Sequence, residues 1–212
     1  MLRRRAGLLS RIVAEVVGQA AAEGGADLSR TPVVYGSTLG EMAAAVQMMG
    51  AFAEDEGLPS PTTFHNSVHN APAGYVSIAT GCHAFACSIA AGGETTAMAL
   101  LETSSLLHQR GGDAIVVLAD EPVPVPLGSP GSFPPAAVAF HVRADPERPA
   151  RARLGPVRRG PGGLPNVPGG LDAHPCAAAF RLAFAVSRGT PGAVSLGTGG
   201  ADGWAIDIEV VE

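Results

Sequence analysis

Lysine is missing from the 212-residue chain: all fourteen basic residues are arginine, against nineteen acidic ones, for a formal net charge of −5. A generally basic nucleic-acid binder is thereby excluded, and no nucleic-acid partner is expected. Cysteine is scarce and odd in number. Cys82, Cys87 and Cys176 do not make a disulfide framework, and fit free thiols in a cytoplasmic protein. No uninterrupted apolar run reaches about 18 residues, so the sequence contains no membrane span. What is present is apolar: 46% of residues are hydrophobic and only 16% charged, with a mean hydropathy of +0.23. That suffices for one sizeable core and argues against disorder. The 28 glycines and 18 prolines cluster locally without a collagen-like period, which predicts a loop-rich second half.

The N-terminus carries three arginines and an apolar stretch, like a signal peptide, but Arg11 and Glu15 interrupt the stretch. Leu8, Leu9, Ile12, Val13, Val16 and Val17 recur at helical spacing, which predicts an amphipathic surface helix. Pro32–Tyr35 reads as a buried strand, Gly36–Gly40 as a turn, and Glu41 to about Phe52 as a helix with an acid in its first turn. Gly57–Pro61 reads as a loop, and Pro72 opens a helix that Gly81 ends. Phe85–Ala91 and Asp113–Ala119 read as strands around a helix from Glu94 to about Gln109. Strands alternating with helices define an α/β class with a largely parallel sheet and flanking helices. Beyond a proline-rich loop, Ala136–Val142 reads as a strand, residues 143–170 as an Arg/Pro/Gly-rich loop, Pro175–Ser187 as a helix, and Val194–Val211 as a closing hairpin.

Several groups suggest chemistry. Gly36-Ser37-Thr38-Leu39-Gly40 has the outline of a nucleophile elbow with threonine at the nucleophile position; a plain strand-to-helix turn explains it equally simply. His65, His69, Cys82, His83 and Cys87 are ligand types within a short span, but Pro72 starts the helix after His69 and the Cys-x4-Cys spacing is unusual for zinc. They read as satisfied buried polar groups, and no metal is expected. Gly197–Gly200 lacks the Lys-Ser/Thr of a phosphate loop and reads as a tight hairpin. The run Arg148, Arg151, Arg153, Arg158 and Arg159 is either a solvated face or a contact for an acidic partner.

Residues 62–80 (TTFHNSVHNAPAGYVSIAT) followed by 85–121 resemble the N-terminal half of β-ketoacyl synthases, the thiolase-like condensing enzymes. The likeness is closest to the chain-length-factor-like subunit of aryl polyene biosynthesis and spans roughly residues 30–142. The end of the chain, from Ala177 to Asp202, follows the family order more weakly. A complete condensing enzyme is about twice this long, so the resemblance implies a truncated thiolase-like fold. It divides the chain into an N-terminal-like domain (1–142), the loop (143–170), and a C-terminal helix and hairpin (171–212) that complete the same domain.

In the family the nucleophile is a cysteine at the turn between a buried strand and a long helix, where the helix N-terminus lowers the thiol pKa and backbone amides stabilise the oxyanion. The resemblance places that position at Gly93, so no catalytic residue carries over. His174 lies near the place of a family histidine but too close to the following helix, and reads as a surface histidine beside a proline. Loss of the nucleophile with retention of the fold implies a non-catalytic subunit that pairs with a full-length β-ketoacyl synthase as a heterodimer. Phe85, Ala86, Cys87, Ser88 and Ile89 would then form the dimer interface. Gly74, Ser77, Gly92 and Gly93 would leave room for the acyl chain, and Arg158 and Arg159 would dock an acidic acyl carrier protein. No cofactor is implied. The competing reading is a stand-alone acyltransferase or thioesterase using Cys82, Cys87 or Thr38; a third is a degenerate fragment that only stabilises its partner.

Overall fold

Alternate residues of the central strands are apolar on both faces, so the sheet needs a core on each side. β1 (Val33–Gly36) and β3 (Asp113–Asp120) run parallel, with Val33 opposite Ile115 and Gly36 opposite Leu118. Val33, Tyr35, Ile115 and Val117 enter one core, and Val34, Val116 and Leu118 enter the other. The computed structural model describes residues 4–54, 57–129, 131–197 and 202–211.

The first core is closed by α1 (Leu8–Gly24) and α4 (Ala71–Thr80). Leu9, Val13, Val17 and Ala21 form a buried stripe along α1 at every fourth residue. Gly25 and Gly81 end these helices in the left-handed region. The second core holds α5 (Thr95–Arg110) and α6 (Ala177–Ser187) between the first sheet and a second one. The layers therefore run helix, sheet, helix, sheet.

The first sheet has the order β2-β1-β3-β4, where β2 is Ala86–Ile89 and β4 is Ala136–Arg143. β2 is parallel to β1, and β4 is antiparallel to β3. In the second sheet β5 (Ala152–Leu154), β6 (Arg158–Arg159) and β7 (Gly192–Ser195) all pair antiparallel with β8 (Trp204–Val210). Trp204, Ile206 and Ile208 of β8 face the core, whereas Asp207 bonds Arg158 and Glu209 is exposed. This polar outer face needs no further layer over it.

Four expectations are corrected. Phe85–Ala91 is a strand only over Ala86–Ile89, because the chain turns into a 3₁₀ segment at Gly92–Glu94. A helix α3 (Pro61–Ser67) precedes α4, started by Ser60, whose hydroxyl accepts from the Thr63 amide. The stretch 143–170 is not simply loop: β5 and β6 are recruited by the edge of β8. Glu41 lies ahead of α2 (Met42–Phe52), but its carboxylate turns to the start of α1, where it accepts from the Ser10 amide at 2.9 Å and from the Ser10 hydroxyl. Residues 198–200 of the glycine loop lie outside the described residues.

Two glycines test the packing in opposite directions. A Cβ on Gly36 would press on Leu118, Ala99 and Thr95, while one on Gly18, inside α1, meets nothing within 4 Å. Gly36→Ala is expected to cost about 1–3 kcal/mol by overpacking, and Gly18→Ala to gain roughly 0.5–1 kcal/mol of helix stability. Urea denaturation of the two variants reads both signs; equal effects would contradict the packing described.

Candidate functional site

Where β2 hands over to α5, the chain has no reactive side chain. Gly92-Gly93-Glu94 makes a 3₁₀ turn that leads directly into α5, with Gly92 and Gly93 exposed. Glu94 takes the first acidic position there, where the helix dipole favours it. Its carboxylate accepts from Trp204 Nε1 at 2.7 Å and lies 3.9 Å from Arg159, whose guanidinium sits 4.0 Å over the indole ring. Gly197 comes so close that a Cβ on it would stand 3.2 Å from the Gly93 carbonyl oxygen. The second sheet thus closes onto the turn.

Thr38 reaches the same turn from the β1–α2 connection. Its hydroxyl lies 3.1 Å from the Gly92 carbonyl and 3.2 Å from the Thr95 hydroxyl. Thr95 in turn donates to Gly92 O and accepts from the Ala91 amide. No base touches Thr38, so the elbow-like sequence is a strand-to-helix turn held by hydrogen bonds, not an activated nucleophile.

That turn is fixed by Asp120, fully buried at the carboxyl end of β3. Asp120 accepts from the Ser37 hydroxyl (2.7 Å), the Thr38 amide (3.0 Å), the Leu39 amide (2.7 Å) and the Cys176 thiol (3.0 Å). His174 is also part of this assembly, which corrects its reading as a surface residue: it is 3% exposed. Its Nδ1 accepts from the Cys176 amide, so Nε2 carries the proton and donates to the Asp120 carbonyl at 3.2 Å. Phe133 and Phe180 meet the ring edge-on, each at 5.0 Å. Burial lowers the His174 pKa, keeping the ring neutral. The sequence offered no signal for this burial, because the covering Phe133 is far away in the chain.

The other candidates scatter. His69 bonds the Ser37 carbonyl at 2.9 Å, and His65 meets Tyr75 edge-on. Among the described residues no three His, Cys, Asp or Glu side chains converge as a metal site. Burial raises the pKa of Cys87 and, more strongly, that of Cys176, whose bond to the Asp120 carboxylate raises it further, so neither thiol is activated. Gly74 and Ser77 sit on α4, on the α1 side of the sheet, whereas the turn at Gly92 and Gly93 opens α5 on the other side. The structure does not bring the four into one cavity. Two cavities, of about 450 and 430 Å³, are lined by other residues.

Most of the arginine run has acidic partners within the chain. Arg158 grips Asp207 with two bonds of 2.8 and 2.9 Å, Arg151 pairs with Glu23, and Arg148 lies 3.8 Å from Asp113. Arg159 keeps its charge half-exposed beside Glu94.

A mixed, mostly parallel sheet flanked by helices, with a glycine turn feeding a long helix, defines a thiolase-like α/β protein. The chain belongs to the β-ketoacyl synthase family, whose N-terminal domain matches residues 1–153. Its fold is similar to that of a ketosynthase in complex with its chain length factor from Xenorhabdus doucetiae: TM-score 0.69 at 20% identity, over 96% of this chain and 79% of the other. The ishigamide ketosynthase/chain length factor gives 0.67 at 14% identity, over 98% and 82%. The 3-oxoacyl-(acyl carrier protein) synthase III of Pseudomonas aeruginosa PAO1 gives 0.52 at 14%, over 96% and 84%. At these identities the likeness is one of fold. No curated protein sequence matches. Among the described residues no helix is long and apolar enough to cross a membrane.

Three buried acids, Glu41, Asp120 and Glu121, lie near the ends of β1 and β3, each with its own hydrogen-bond donors. Burial raises the Glu121 pKa, and the charges of Glu41 and Asp120 raise it further against a bond from the Ala43 amide. The native state therefore keeps this proton at a pH where the unfolded chain has released it, so stability falls as pH rises from about 4.5 through the native value. Glu121→Gln keeps the acceptor and removes the charge. Its melting temperature is expected to match the wild type near pH 4 and to exceed it at pH 7.5; a variant less stable at both would contradict the arrangement.

Proposed function

We propose that the chain is a non-catalytic ketosynthase-like subunit of the chain-length-factor type. It pairs with an active β-ketoacyl synthase in polyene-, polyketide- or fatty-acid-type elongation, aryl polyenes being the narrowest assignment. The observation that carries this reading is the turn Gly92-Gly93-Glu94. On the family resemblance this turn takes the nucleophile position, and it offers nothing to acylate and an acid where a thiolate would have to form. The rival reading, a stand-alone acyl-transferring enzyme, lacks an activated nucleophile, since Thr38, Cys82 and Cys87 have no base within bonding distance.

Two surface features support a partner. β2 is an edge strand, and α2 buries only Ala44, leaving Met49, Phe52, Phe64 and Val68 of the α2–α3 pair exposed, with Ile78 on α4. α4 packs against β2, α3 against α4 and α2 against α3, so edge and apolar surface are linked through adjacent elements. Gly74 has open space around its Cα on this flank, and here, rather than at the Gly92-Gly93 turn, we place any influence on acyl-chain length.

The register of β2 makes the pairing testable. The carbonyls of Phe85 and Ile89 accept from Val33 and Ser37 of β1. Because a residue's N–H and C=O point to the same side of a strand, Ala86 and Ser88 turn theirs to the free edge. Among the described residues the buried Ser88 hydroxyl, on a face of the strand, has no hydrogen-bond partner. Ser88→Pro removes no bond to β1. The variant is expected to keep the wild-type circular dichroism spectrum and to lose co-purification with a co-expressed full-length β-ketoacyl synthase. Undiminished co-purification would sink the β2 interface, and a wild-type chain that stays monomeric beside that ketosynthase would sink the function.

The carrier-protein role is assigned to Arg159 more than to Arg158, whose charge Asp207 already matches. Arg159→Glu is expected to slow elongation by the assembled pair at low salt, with a deficit that shrinks as salt rises. A deficit independent of salt would leave Arg159 a structural role on Trp204 and Glu94 only.

A further inference from the structure

The opposite edge of the first sheet carries a second opening that the proposed function does not use. Every residue of β4, Ala136–Arg143, is half-buried, while its neighbour β3 is buried from Ala114 to Asp120. Exposure through a face would alternate along the strand. Here both faces are covered: Val138, Phe140 and Val142 pack into one core, Ala137 and Ala139 into the other. The exposure is therefore through the edge, and among the described residues no strand pairs with it.

A cavity of about 450 Å³ lies along that edge. Consecutive β4 residues Ala139, Phe140 and His141 line it, as only an edge-on approach allows. α1 supplies Ala20 on one side and α6 supplies Ala183 and Val186 on the other, with segment 149–152 closing the outside. At one end Arg143 donates to the carbonyls of Pro149 and Gly24, while its buried Nε has no acceptor and the nearest carboxylate, Asp113, is 3.8 Å away. A buried donor without an acceptor is costly.

We propose that this slot receives a β-strand: an extended segment of another polypeptide that pairs with the free edge of β4. Walled by α1, α6 and segment 149–152, the slot admits a single strand and excludes the edge of a folded sheet. A second copy presents β4 recessed between its own helices, so it does not fit edge to edge. Ala20, Ala183 and Val186 face the guest, so its side chains there are small and apolar, while Glu23, Arg151 and Ser187 also line the slot. From Ala139 to Arg143 the slot spans about 13 Å, enough for four or five residues. At its end the guest meets Arg143, which lines the slot. Main-chain bonds give the affinity and the apolar walls the selectivity.

The test uses amide hydrogen exchange on the intact chain, without a ketosynthase, so its outcome is independent of the β2 interface. The probe is a synthetic hexapeptide of valine and alanine ending in aspartate. It is expected to slow exchange at β4 amides that exchange readily in the free protein. Ala183→Phe and, from the other wall, Ala20→Phe fill the slot and are expected to abolish that protection. Three results would overturn the proposal: β4 amides already as slow as those of β3 without peptide; no protection by the peptide at millimolar concentration; or protection unchanged in whichever filled variant folds. A concentration-dependent dimer that either substitution dissolves would assign the slot to a second copy and overturn the donated strand.

Discussion

One buried carboxylate holds three distant parts of the chain in register. Asp120 collects Ser37, Thr38 and Leu39 from 81–83 residues away and Cys176 from 56 residues away. A fully buried carboxylate without such donors would be expensive, and bonds to a charged acceptor are the strong ones. The β1–α2 turn therefore has little freedom relative to β3. Thr38 passes that constraint to Gly92, and His174 passes it to the start of α6. The neighbouring acids Glu41 and Glu121 make the demand for donors sharper. Glu41 meets it by capping α1, a helix whose own N-cap, Gly7, offers no side chain.

What could be read in advance follows from what is local. α1, α5 and β3 announce themselves by period or by a long apolar run, and their ends by glycine. α3 was legible in principle, since Ser60-Pro61 with Thr63 is a helix start, but a loop reading of Gly57–Pro61 obscured it. β5 and β6, of three and two residues, have no period of their own and exist because β8 offers an edge. At the site, the placing of the nucleophile position at Gly93 rests on the family resemblance alone; neither composition nor period points to it. The bond from Trp204 to Glu94 spans 110 residues, and nothing in the composition of either segment points to the other. Gly74, Ser77, Gly92 and Gly93 share small size, which says nothing about which face of a sheet each will occupy.

The two sheets handle their exposed backbone differently. In the second, β8 is flanked on one side by β5 and β6 and on the other by β7, and its outward residues are charged or paired, as Arg158 and Asp207 are. That surface is finished against water. In the first sheet β2 and β4 end in unpaired backbone beside apolar surroundings, the combination that attracts another chain unless it is blunted. No charged residue lies within β2. On β4 the polar side chains of His141 and Arg143 are drawn inward to Asp113 and to the carbonyls around it, not out to solvent. Polar finishing on one sheet and its absence on both edges of the other make association, rather than an unusual surface composition, the economical explanation.

The electrostatics of the α5 N-terminus centre on Glu94. A helix start offers partial positive charge to whatever stands there. In a condensing enzyme that charge acts on a cysteine by favouring its thiolate. With glycine at 93 there is no thiol to ionise, and the field acts instead on the Glu94 carboxylate, which the Trp204 N–H and Arg159 hold against the second sheet. A cysteine at 93 would stand next to the Glu94 carboxylate, an arrangement that opposes a thiolate. The contacts of Glu94 with Trp204 and Arg159 thus fasten the start of α5 to the second sheet.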